Sequence, residues 1–149
     1  MSEISSLNLK PEQIKTDPDS LQFYGKDWTT YYEINASGIV FPESTADVVQ
    51  IVLWARKHKV GLVPSGGRTG LSGAACALNG ELVVSFEKMN HILSINETES
   101  SVEVEPGVIT LYRMLRAFYL HLGPFTRKVI ATIDAKLEEL DLVPAGDFT

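Results

Sequence analysis

The chain has 149 residues, 44% hydrophobic and 21% charged, the make-up of one ordinary globular domain, which excludes a fibrous or disordered chain. Its formal net charge of −6 comes from acidic residues spread along the sequence, so neither nucleic acid nor an anionic membrane is expected as a partner. No apolar run approaches the roughly 20 residues of a membrane helix, and Met1 to Lys10 lacks a basic segment followed by an apolar one, so a cytoplasmic protein without a transmembrane segment is expected.

Residues 1–22 are polar, carry Pro11 and Pro18, and are expected to form an N-terminal arm with one short helical turn around Pro11 to Thr16. Next comes a stretch with five aromatics, Phe23, Tyr24, Trp28, Tyr31 and Tyr32, around Gly25 and Asp27. That density predicts a cluster anchored over an open edge of the core; direct ligand contact is the alternative.

Gly38-Ile39-Val40-Phe41-Pro42 suits a strand closed by proline. Ser44 then starts a helix, its hydroxyl accepting from the Asp47 amide while the Asp47 carboxylate reaches back. Val48, Ile51, Val52 and Ala55 recur at helical spacing, widened by Val49, Leu53 and Trp54, so the helix should lie on a sheet. Arg56, Lys57, His58 and Lys59 favour its C-terminal carbonyls. Val60-Gly61-Leu62-Val63-Pro64 reads as a second strand, parallel to the first because one helix joins them.

Glu81 to Phe86 is a third strand, and a hairpin follows from the run around Ile92 to Asn96, the polar stretch Glu97 to Ser100, and the alternating Ser101 to Glu105. Pro106-Gly107 ends it. Beyond Thr110 the pattern is helical: Leu111, Leu115 and Phe118 share a face, as do Tyr112, Leu115 and Tyr119, up to Gly123-Pro124. A second helix carries Val129, Ile133, Leu137 and Leu140.

The segment with chemical content is Pro64-Ser65-Gly66-Gly67-Arg68-Thr69-Gly70-Leu71-Ser72-Gly73, directly after the second strand. Its glycines permit positive φ and close backbone approach, so successive amides can form a nest for phosphate oxygens. Ser65, Thr69 and Ser72 add hydroxyls, and Arg68 adds a charged donor if its head turns inward. A Walker loop is excluded, because Leu71-Ser72 follows Gly70 where lysine and serine or threonine would be needed. The dinucleotide fingerprint is excluded by the three-residue spacing of Gly67, Gly70 and Gly73. A purely structural glycine turn is the other reading.

This loop, with Tyr24-Gly25-Lys26-Asp27-Trp28-Thr29, Gly38-Ile39-Val40-Phe41-Pro42 and Val104-Glu105-Pro106-Gly107-Val108, resembles the beginning of the FAD-linked oxidases related to vanillyl-alcohol oxidase. Within them it is most similar to the FAD-dependent D-2-hydroxyacid dehydrogenases, which act on D-lactate, D-2-hydroxyglutarate or glycolate. The resemblance covers roughly Phe23 to Thr110. It implies an α+β, PCMH-type FAD-binding domain, of which this chain is the first subdomain, a βαβ unit plus additional strands, truncated. Residues 1–22 are then the arm, 23–110 the pyrophosphate-binding subdomain, and 111–149 a helical tail without a clear family counterpart.

The cofactor-binding residues the resemblance implies are Pro64, Ser65, Gly66, Gly67, Arg68, Thr69, Gly70, Leu71 and Gly73, with Pro106 and Gly107 as a turn against the cofactor. Arg68 stands where some relatives carry a histidine bonded to the flavin, so noncovalent FAD is expected. His58, His91 and His121 show no metal-ligand spacing, and no catalytic or metal residue is assigned. Glu103 and Glu105 read as an exposed strand face, Asp27 as a holder of a nearby backbone amide, and Cys76, the only cysteine, as a buried small residue.

The functional expectation is the FAD-binding portion of an oxidoreductase acting on a small D-2-hydroxyacid, with the substrate bound only in a full-length relative. Without a convergent acid, base and carboxylate clamp, the isolated chain is expected to be catalytically incomplete and to hold FAD weakly or not at all. The alternatives are a noncatalytic interaction module that keeps the fold and self-associates through its last helices, and an unstable product without a role of its own.

Overall fold

The computed structural model describes residues 4–96, 98–99 and 101–109. In chain order these form β1 (Ile14–Lys15), α1 (Pro18–Tyr24), β2 (Gly38–Val40), α2 (Thr45–His58), β3 (Leu62–Ser65), β4 (Leu82–Ser85), β5 (Ile92–Asn96) and β6 (Ser101–Val104). Short 3-10 turns lie at Ile4–Ser6, Pro11–Gln13 and Phe86–Lys88. The helices expected around Leu111 to Phe118 and Val129 to Leu140, with His121, lie outside the described residues. Among those described, no helix is long and apolar enough to cross a membrane.

The main sheet has the order β1-β2-β4-β3, with β2, β4 and β3 parallel and β1 antiparallel on the outer edge of β2. The expected strand, helix, parallel strand unit is present as β2-α2-β3, but β4 lies between its two strands. Composition explains the order. Leu82-Val83-Val84-Ser85 has neither proline nor glycine and is buried along its whole length, as a central strand of a parallel sheet requires. Leu62-Val63-Pro64-Ser65 contains a residue without an amide hydrogen, which an edge strand tolerates.

Strand alternation divides the core in two. On one face Ile39, Phe41, Val63 and Val83 pack with Ala36 and Ala77, under Leu21, Tyr24 and Ile34. On the other, Val40, Leu82 and Val84 meet Ile51 of α2 and Leu7 from the N-terminal segment. The segment read as an arm thus lies along the sheet: β1 extends it, and the Phe41 amide donates to the Gln13 carbonyl at 2.9 Å. The short turn expected near Pro11 to Thr16 is a 3-10 turn running straight into β1. Gln13 is buried, donating from Nε2 to the Phe41 carbonyl at 3.0 Å and to Asp47 Oδ2 at 2.9 Å.

Helix α2 begins as its sequence directs, Ser44 Oγ accepting from the Asp47 amide at 3.2 Å. The Asp47 carboxylate reaches one residue further back than expected, to the Glu43 amide at 2.8 Å. That bond, with the one from Gln13, holds the carboxyl below its usual range. The buried face is narrower than the periodicity suggests. Only Ile51 and Ala55, one turn apart, are buried, while Val49, Val52 and Leu53 are exposed. The helix stops at Lys59, which adopts the left-handed conformation with φ 56°. This side chain carries a Cβ where glycine is normally found, so Lys59→Gly is expected to stabilise the chain by about 0.5–1 kcal/mol, read as a higher urea midpoint at unchanged slope.

The hairpin forms as expected, β5 antiparallel to β6 with Asn96 opposite Ser101 and Ile92 opposite Val104. A register shift between Ile92 and Ser94 leaves Leu93 exposed.

Candidate functional site

Three parallel strands end on one edge of the sheet, and β3 and β4 both finish in serine, Ser65 opposite Ser85. Both residues are fully buried, and among the described residues neither hydroxyl has a hydrogen-bond partner. Alternation places them on the face of Val63 and Val83. A buried hydroxyl left unbonded costs about 1–3 kcal/mol, which a polar group at the strand ends would recover. The sequence reading included Ser65 and missed Ser85. Its signal was the parallel between Leu-Val-Pro-Ser and Leu-Val-Val-Ser, two apolar strands each ending on a small hydroxyl.

From Ser65 the chain turns into the glycine loop. Among the described residues, nothing accepts a hydrogen bond from the amides of residues 67–72, and Gly67, Thr69, Gly70, Leu71 and Ser72 are exposed. The glycines serve differently from expectation. Positive φ occurs at Gly73 (74°) and at Arg68 (55°), whereas Gly66 and Gly70 allow close approach. A Cβ on Gly66 would lie 3.4 Å from the Pro106 carbonyl oxygen, one on Gly70 3.5 Å from Asp27 Oδ2, and one on Gly73 2.5 Å from the Tyr32 ring.

Pro106-Gly107 is therefore beside the loop. The Gly107 amide donates to the Met89 carbonyl at 2.8 Å, clamping the turn against the exit of β4. Just before it, Glu105 Oε2 accepts from the His91 amide at 2.8 Å and lies 2.7 Å from Nδ1 of that histidine, which holds the carboxyl below its usual range. Glu103 accepts from Ser94 Oγ at 3.2 Å.

Arg68 does not turn inward. Its guanidinium lies 4.5 Å from the ring centroids of both Phe23 and Tyr24, a weakly hydrated cation resting on aromatic faces. Tyr24 in turn donates to Glu87 Oε1 at 3.1 Å and packs edge-on against Phe41. Its burial, with the Glu87 charge, raises the phenol above its usual range. The aromatic segment therefore embraces the loop more than it covers a core edge: Tyr24 reaches the core and Tyr32 lies on Gly73, but Trp28 and Tyr31 are exposed.

Behind the loop sits Asp27, nearly buried. It accepts from the Gly73 amide at 2.9 Å through Oδ2, and from the Thr29 amide at 2.8 Å and hydroxyl at 2.6 Å through Oδ1. The free thiol of Cys76 is buried here, 3.4 Å from Asp27 Oδ1. Among the described residues no group of three or more His, Cys, Asp or Glu side chains is placed to hold a metal ion.

What this edge can do is bind an anion through neutral donors. Residues 64–73 contain no acidic side chain, the amides of residues 67–72 are unpaired among the described residues, and Ser65 and Ser85 bring two buried hydroxyls to the end of the parallel strands, the usual ligand side of such sheets. These residues fit a diphosphate.

The chain belongs to the FAD binding domain family, whose pattern matches residues 36–133. That match runs past Thr110, where the resemblance read from the sequence stopped. The chain is 54% identical over 110 residues to the D-2-hydroxyglutarate dehydrogenase of Stutzerimonas stutzeri (strain A1501), covering 74% of this chain and 24% of that protein. It is 36% identical over 107 residues to glycolate oxidase subunit GlcD of Bacillus subtilis (strain 168), covering 72% of this chain and 23% of that one. The fold is shared with the solved p-cresol methylhydroxylase with substrate bound, at a TM-score of 0.67 and 22% identity over 80% of this chain and 24% of that chain. The chain thus spans about a quarter of the length of the curated relatives it matches, and its α+β architecture is that of a PCMH-type FAD-binding domain.

Proposed function

We propose that residues 64–73, with Pro106 and Gly107, bind the diphosphate of noncovalently held FAD, and that the chain is the cofactor-binding part of an oxidoreductase acting on a small D-2-hydroxyacid such as 2-hydroxyglutarate, glycolate or lactate. One observation carries this reading: a row of unpaired loop amides beside the orphaned hydroxyls of Ser65 and Ser85, inside the segment matched by the FAD binding domain family. The backbone of Gly66, Gly67, Thr69, Gly70 and Leu71 donates to phosphate oxygens, with Ser65 and Thr69 adding hydroxyls. Pro64 stiffens the entry from β3, and Gly73 turns the chain back toward Asp27. Arg68 stays on its aromatic rings and contributes long-range positive charge. When bound, FAD supplies the hydride acceptor; this chain orients it and shields one side of it. The substrate class is supported by the names of the relatives, and a cytoplasmic location is part of the same proposal.

Titrating FAD into the isotope-labelled chain tests the reading even at weak affinity. The amide signals of Gly66, Gly67, Gly70 and Gly73 are expected to shift together and to return on dialysis. Shifts confined to other residues, or none up to millimolar FAD, would remove the loop from the site.

A second reading, a noncatalytic interaction module, is favoured by the exposed stripe Val49, Val52 and Leu53 on α2. Light scattering across a dilution series decides it, since a concentration-independent monomer ends that version.

A further inference from the structure

We infer that Asp27 is a positioning residue for the anion-binding loop: its carboxylate fastens the loop from behind and keeps the amides of residues 67–72 free to meet the ligand. The inference rests on the proposed FAD site and deepens it. Three strands of observation meet at this side chain.

First, the attachment is spread over the loop's second half. Asp27 Oδ2 takes the Gly73 amide, the neighbouring Trp28 amide donates to the Gly70 carbonyl at 3.1 Å, and the Ala77 amide donates to the Gly25 carbonyl at 2.9 Å. The segment 25–28 thus runs along residues 70–77 and is bonded to it at four points, counting the Cys76 thiol 3.4 Å from Asp27 Oδ1, with Asp27 supplying both side-chain bonds. Second, the carboxylate lies directly against the loop backbone, the Cβ position of Gly70 being 3.5 Å from Asp27 Oδ2. Third, the carboxylate is satisfied by protein donors. The Thr29 hydroxyl foremost, then its amide, the Cys76 thiol and the Gly73 amide hold the carboxyl below its usual range. These neutral donors stabilise the ionised carboxylate where it sits without cancelling its charge.

The physical consequence is pre-organisation. A loop whose amides are unpaired gains nothing by holding an open shape on its own, and left unbraced it samples many conformations. A ligand would then have to order it on binding, which lowers affinity without altering any direct contact.

The test uses the full 149-residue chain, with the variants Asp27→Asn and Thr29→Val, amide hydrogen exchange, and FAD as the titrated probe. Asparagine keeps the shape but replaces one acceptor oxygen by a donor, so the Gly73 and Thr29 bonds cannot both survive. In Asp27→Asn the Gly73 and Trp28 amides are expected to exchange about tenfold faster while Val83 and Val84 in β4 are unchanged, and the FAD dissociation constant to rise about tenfold. Thr29→Val, which keeps the charge and the Gly73 bond, is expected to raise that constant about two- to threefold.

A merely structural role would speed exchange in the loop and the sheet together. Unchanged exchange of both the Gly73 and the Thr29 amides in Asp27→Asn overturns the inference whether or not FAD binds. Equal FAD affinity in Asp27→Asn and the parent chain does so too. If Asp27→Asn loses the sheet as well, Thr29→Val decides: weakened FAD binding on an intact sheet supports the brace, and unchanged binding overturns it. Failure of the parent chain to respond to FAD at all overturns the proposal that this chain by itself holds the cofactor, and is seen before any variant is made.

Discussion

Gly107→Ala is expected to cost the chain about 3 kcal/mol, among the largest effects of any single methyl group in the described residues. The added Cβ would lie 1.9 Å from the Phe86 carbonyl oxygen, 2.7 Å from the Phe86 carbonyl carbon and 2.7 Å from the Met89 carbonyl oxygen. All three are backbone atoms, so no side chain can swing aside, and the Gly107 amide is itself bonded to the Met89 carbonyl. Overpacking of this kind usually costs about 1–3 kcal/mol, and an obstacle made of backbone places it at the upper end. Gly80 is the control. It has φ of 82° and nothing within 4 Å of its Cβ position, so Gly80→Ala carries only the left-handed backbone penalty of about 1 kcal/mol. Urea unfolding of the two variants separates the cases; equal midpoints would show that the Pro106-Gly107 turn moves aside freely.

Gly66→Leu is expected to abolish the response of the loop to FAD while the apo chain remains folded. The Cβ at this position faces the Pro106 carbonyl at 3.4 Å, so the leucine side chain enters the gap between the loop and the turn. Relief of that contact requires a shift of a few tenths of an ångström, at about 1–2 kcal/mol of stability. The larger effect falls on the ligand, since the amides can no longer be approached closely from that side. Gly70→Ala is milder, because its Cβ points back toward Asp27 at ordinary contact distance. Loop signals that still shift with FAD in Gly66→Leu would show that the diphosphate does not use this gap.

The two glycine predictions separate what was legible from what was not. That residues 64–73 form a glycine-rich loop after an apolar strand could be read from residue types, because absent side chains leave a specific mark in a sequence. Which glycine serves which purpose could not. Positive φ went to Arg68 and Gly73, and Gly66 proved to be a spacer against a turn some forty residues further along the chain. Residue type makes Arg68 a candidate donor to the ligand, yet two aromatic rings contributed by α1 hold the same guanidinium. Helix α2 shows the same limit. Its period was clear, but the width of its buried stripe depends on how much sheet lies beneath it, and Val49, Val52 and Leu53 were left outside.

The amino-acid order alone determined the local elements and their chemistry: the capped α2, the hairpin β5-β6, the apolar strands and the side-chain-free loop. Each rests on neighbours within a few residues, where propensity, capping and periodicity act. Tertiary structure alone decided that β4 separates β2 from β3, that Ser85 stands opposite Ser65, and that Asp27 reaches the Gly73 amide. Those outcomes join segments distant in the chain, and their energies arise only when both partners leave water together. No local pattern records such pairings, because either partner by itself is satisfied by solvent.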